Sequence, residues 1–147
     1  MSLDFTPLQS ALSQLETSLR YADSPMARDD SGLFEQLRNS VIQCFEFSYE
    51  LSHKMLRRFL KESAASPDTV ESMTFAELIR TGNEQGLLRS DWVRWKAYRQ
   101  ARTDSSHTYD QDKAKAKAKA VYAIAPEFLH EGRYLLEQLL ARTNQAR

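Results

Sequence analysis

An all-α fold of four to five helices is what this sequence predicts, on three observations. Glycine and proline number only 4 each in 147 residues, too few for the many turns of a β fold. Apolar residues recur at spacings of three and four over several long stretches, the repeat of a helix face. Thr74 and Glu77 stand three apart ahead of an apolar run, as a helix-opening capping box requires.

The elements follow in order. Asp4 can cap a first helix from about Phe5 to Tyr21, along which Leu8, Leu12, Leu15 and Leu19 share a face, and Pro7 is tolerated in its first turn. Ala22 to Gly32, with Pro25 and three aspartates, is expected to be a loop. A long helix then spans about Leu33 to Ser63. Its apolar residues Leu37, Val41, Phe45, Tyr49, Met55, Leu56, Phe59 and Leu60 cover about half the circumference, so it should be buried on two sides. Two arrangements satisfy this: a central position in a bundle, or a helix that also pairs with a second copy of the chain.

Ser63 to Glu71 is a connector, and Thr74 opens a short helix that Gly86 ends. Ser90 can cap the next helix, through Trp92, Trp95, Tyr98 and Arg102, with its aromatics assigned to the core. Thr103, Asp104, Ser105 and Ser106 are poor helix formers, and a break is expected there. Helix resumes from Tyr109 through four Lys-Ala repeats at Lys113 to Ala120, a solvated face. Pro126 should kink or restart it before a last segment from Glu127 to about Arg142.

The bulk numbers suit one helical domain over residues 1–147, with 41% hydrophobic and 27% charged residues. Lysine plus arginine and aspartate plus glutamate are 20 each, so no global field draws the chain to nucleic acid or membrane; any such binding is local. The lone Cys44 fits a reducing compartment and an inert core thiol. With neither a basic, apolar leader at its start nor an 18-residue apolar run, the chain is expected to be cytoplasmic.

Two groups of residues carry chemistry. Glu50-x-x-His53 and Glu127-x-x-His130 repeat the spacing of di-iron helical bundles. Glu127 and His130 lie opposite the apolar face of their helix, however, so no metal site is expected. The second group is Arg102, Asp104, Ser106, His107 and Tyr109, which puts a fixed cation, an imidazole and a phenol beside the expected break. An arginine fork with a histidine that exchanges protons near neutral pH suits a phosphate. The alternative is structural, with Arg102 paired to Asp104 or Asp110.

The order Arg102-x4-His107-x-Tyr109 matches the motif of the HEPN superfamily, and Ser106 to Asp110 resembles its branch paired with minimal nucleotidyltransferases. The stretch Phe45-Glu46-Phe47-Ser48-Tyr49-Glu50-Leu51-Ser52 is similar to the corresponding helix of the nucleotidyltransferase substrate-binding proteins. Thr103 stands where such proteins commonly carry Asn, and His53 where a Trp is expected.

The resemblance implies an up-down helical bundle, a homodimer, and a toxin of a toxin–antitoxin pair: a metal-independent ribonuclease needing no cofactor. Arg102 and His107 would be catalytic, with Asp104 and Ser106 in support. Tyr109 would accept AMP from a partner nucleotidyltransferase encoded by a neighbouring gene. The chain carries no Gly-Ser followed by Asp-x-Asp, the pattern of the transferase itself. The alternative implied by the same resemblance is a non-catalytic subunit that presents a substrate to that partner.

Overall fold

Helix starts in this chain are set by short side chains placed just ahead of each apolar run, and the computed structural model, which describes residues 3–105 and 111–145, shows most of them in use. Helix α1 (Thr6–Ala22) begins where Asp4 accepts the Thr6 N–H at 3.0 Å. The segment expected as loop holds a one-turn helix, α2 (Pro25–Asp29), with Ser24 accepting the Ala27 N–H and Pro25 at its first position, where a missing N–H costs nothing. Asp30 accepts from Leu33 and opens α3 (Ser31–Ser63), so Gly32 belongs to a helix. Proline at its start likewise makes α4 (Pro67–Glu71) a short helix inside the expected connector.

Both halves of the capping box form at α5 (Phe75–Glu84): Thr74 Oγ1 accepts the Glu77 N–H at 3.2 Å, and Glu77 accepts the Thr74 N–H at 3.3 Å. Gly86 follows at φ 73°, a left-handed conformation that L side chains disfavour. Asp91, rather than Ser90, caps α6 (Trp92–Ser105), accepting the Val93 N–H at 3.1 Å. The break expected from Thr103 onward does not begin there. Thr103, Asp104 and Ser105 remain helical, and the Thr103 hydroxyl donates back to the Arg99 carbonyl at 3.0 Å, which satisfies it without leaving the helix.

Pro126 does not restart the last helix either: α7 runs from Gln111 to Gln145. An interior proline costs about 3 kcal/mol. Buried Val121 and Ala125 on one side of it, with Phe128 and Leu129 on the other, anchor the helix to the core across the proline.

Helix α1 runs antiparallel to α3, since Ser18 meets Ser40 and Cys44 while Pro7 lines a groove with Leu51. Helix α7 runs parallel to α3, with Tyr122 on Phe34 and Phe128 on Phe45, and α6 returns antiparallel to both. Among the described residues, α3 touches each of the other six helices, so it is central in the bundle. Phe45, Trp95 and Tyr98 surround Phe128 edge-on at 5.4, 5.8 and 5.0 Å between ring centroids. Trp95 and Tyr98 are fully buried core, and Trp92 is half-buried against Phe75. No helix of the described residues is long and apolar enough to cross a membrane.

Candidate functional site

Burial of Trp95 against Tyr49 fixes how far α6 slides along α3, and that register carries Arg102, near the end of α6, to the middle of α3. There its Nη1 lies 3.4 Å from Glu46 Oε2 and its Nε 3.4 Å from Glu50 Oε1. Glu46 and Glu50 stand four apart on α3 and so share a face. Asp104 lies in the last turn of α6. Ser106, His107 and Tyr109 fall between α6 and α7, outside the described residues, so of the motif the structure places Arg102 alone as a side chain.

Earlier along α6, two arginines rest on aromatic rings. Arg99 stacks over Phe75 at 5.2 Å, and Arg94 pairs with Glu127 while lying over Tyr98 at 5.5 Å. His53 is more than a packing residue: Nε2 is 3.3 Å from Glu50 Oε2, and the ring rests on Tyr49 and Phe75. Burial lowers the His53 pKa below its ordinary value, against the opposing pull of Glu50. The Tyr49 hydroxyl is pushed well above the usual phenol value by burial, which outweighs the nearby Arg99. Burial, and then the neighbouring Glu131, push Tyr98 up to about 12.

Glu131 is the residue that sequence reasoning missed. It is fully buried, and its carboxylate accepts the Arg89 and Ser90 N–H groups at 3.0 and 3.1 Å and the Tyr98 hydroxyl at 3.3 Å. It ties the start of α6 to α7 and leaves the Ser90 N–H committed to that bond. The signal was available: a lone acidic residue among the apolar positions Phe128, Leu129 and Leu135 must bring its own donors.

The two Glu-x-x-His pairs are engaged otherwise than in a metal site. Glu50 meets Arg102 and His53, Glu127 meets Arg94, and His130 is exposed. No group of three or more His, Cys, Asp or Glu side chains stands together among the described residues. Lys113, Lys115 and Lys119 are exposed on α7 and Lys117 is half-buried, a largely solvated face. Between α1 and α3 runs a groove of about 540 Å³, lined by Pro7, Ala11, Cys44, Leu51 and Glu46, with Phe47, 69% exposed, at its edge. Glu46 thus joins this groove to Arg102.

Comparison with known proteins agrees with this arrangement. The family described as nucleotidyltransferase substrate binding protein like matches residues 3–141. A relative from Haemophilus influenzae, named probable ribonuclease HepT, is 46% identical over 102 residues, 69% of this chain. The matched region is 66% of that relative's length, just under two thirds. A solved structure, also from Haemophilus influenzae and described as the fold of a substrate binding domain of a nucleotidyltransferase, superposes with a TM-score of 0.82 at 38% identity, covering 92% of this chain and 98% of that one.

Proposed function

Since this chain belongs to the family of nucleotidyltransferase substrate binding protein-like proteins, we propose that it is the helical partner of a minimal nucleotidyltransferase and a metal-independent ribonuclease. The observation that carries the reading is the placement of Arg102, a partly exposed cation held on the bundle face directly ahead of the segment bearing His107 and Tyr109. The identity to a protein named probable ribonuclease HepT supports it.

In the proposed reaction a ribose 2′-oxygen attacks the adjacent phosphorus and the 5′-oxygen leaves, giving a cyclic phosphate. His107 takes or gives the proton, and Arg102 offsets the charge that builds on the phosphoryl oxygens. Asp104 and Ser106 support the site. Two chains form a homodimer with their motifs facing one cleft. AMP placed on Tyr109 by the partner brings negative charge into the cleft and silences the toxin without unfolding it.

The test is cleavage of RNA by the purified chain without added metal. His107→Ala and Arg102→Ala should each reduce the rate by about 10²- to 10⁴-fold with unchanged helical content. Wild-type protein inert toward RNA and non-toxic without its partner would favour the second reading, a substrate-presenting subunit, to which the description of the similar solved structure points.

A further inference from the structure

Arg102 and its carboxylates form an arrangement that the cleavage reading uses only in part. An arginine side chain turns about several bonds, and a cation that must meet a developing charge is most effective when its position is set beforehand. Helix α3 supplies that setting. Glu46 and Glu50 flank one guanidinium at Nη1 and Nε, each at 3.4 Å, as ion pairs rather than hydrogen bonds. Attraction from two carboxylates on one helix face holds the charge in place.

Glu50 is itself braced. Its second oxygen lies 3.3 Å from His53 Nε2, and the His53 ring is held by Tyr49 and Phe75 at centroid distances of 5.1 and 5.5 Å. A chain of contacts therefore runs from the aromatic core through His53 and Glu50 to Arg102. Ion pairs this exposed add little to stability. Two carboxylates also outweigh the single charge of Arg102 and oppose the approach of RNA. A face selected only for attraction would lack them.

We propose that Glu50, assisted by Glu46 and braced by His53, is the positioning residue of this site, holding the charge of the Arg102 guanidinium where it meets the phosphoryl oxygens. The proposal rests on the ribonuclease reading. Glutamine keeps the shape of glutamate and removes its charge, so Glu50→Gln and Glu46→Gln are the variants to compare, in the full chain.

On an RNA oligonucleotide, Glu50→Gln should lower kcat by about 10²-fold, as a misplaced catalytic group does. Its KM should stay level or fall, because the site has become more positive, and its melting curve should match the wild type. An unchanged kcat in both variants, or a loss that merely tracks the unfolded fraction, overturns the proposal. The Arg102 Nε–Hε resonance, identified by its loss in Arg102→Lys, provides a readout independent of turnover. Its order parameter should be that of a held side chain in the wild type and fall in Glu50→Gln. If wild-type protein cleaves no RNA, the ribonuclease reading fails while this resonance still decides: order unchanged in both glutamine variants means that α3 does not position Arg102.

Discussion

Tyr109 is one of six tyrosines, and the other five differ in ways that make AMP transfer a sharp test. Tyr49 and Tyr98 are buried with hydroxyl pKa values pushed up by desolvation, and Tyr122 is partly buried with its pKa raised for the same reason. Such phenols are hard to ionise, and Tyr49 and Tyr98 are also out of reach. Tyr134 is half-buried and donates its hydroxyl to the Gly86 carbonyl at 3.4 Å. Tyr21, by contrast, is 57% exposed, so exposure alone would make it an acceptor. In the transfer, a tyrosine oxygen bonds to the α-phosphorus of ATP, pyrophosphate departs and the phenolic proton is released. With ATP, Mg²⁺ and the proposed partner nucleotidyltransferase, the mass of one AMP should appear on the Tyr109 peptide, and Tyr109→Phe should abolish it. AMP on Tyr21 would show that exposure, not the motif, selects the site. Arg102 was legible as a candidate from its place in the motif. Glu46 and Glu50 were visible only as part of a family-like stretch, because nothing local to them points to an arginine on another helix.

At the scale of elements, the ends of helices were easier to foresee than their interruptions. The capping box at Thr74 and the stop at Gly86 are local chemistry, complete within a few residues. The continuity of α7 through Pro126 is not local, since it depends on core contacts made on both sides of the proline. The short helices α2 and α4 are hidden in the sequence because a proline, elsewhere a loop signal, occupies a first helical position in each. Gly86→Ala should cost about 1–2 kcal/mol, because its positive φ strains any Cβ, and lower Tm by roughly 2–6 °C. Gly32→Ala is the control. Gly32 lies within the first turn of α3, and a Cβ there meets only an Asp30 oxygen at 3.5 Å, so thermal melting should show it unchanged or slightly stabilised.

For the whole molecule, the open question is assembly. The proposed homodimer needs a face that is apolar and lies near Arg102, and the groove between α1 and α3 meets both conditions: Glu46 lines it, and exposed Phe47 stands at its edge. A two-fold contact uses the same patch on both copies, so a projecting ring beside an apolar groove can serve as knob and hole at once. Phe47→Asp should therefore halve the mass measured by light scattering while leaving the circular dichroism of the chain intact. A wild-type monomer at micromolar concentration, or a Phe47→Asp variant that still dimerises, would rule out this face.

Helical class, the aromatic core on α6, the capped start of α5 and the order Arg102, His107, Tyr109 were determined by the sequence alone, because each is encoded by spacing within one segment. The tertiary structure decided the central position of α3, the burial of Glu131 beneath backbone donors 41 and 42 residues away, and the partners of Arg102. Those depend on how far α6 slides along α3 and α7, and that register is set by the packing of Tyr49, Trp95, Tyr98 and Phe128 rather than by any signal in a single stretch of chain.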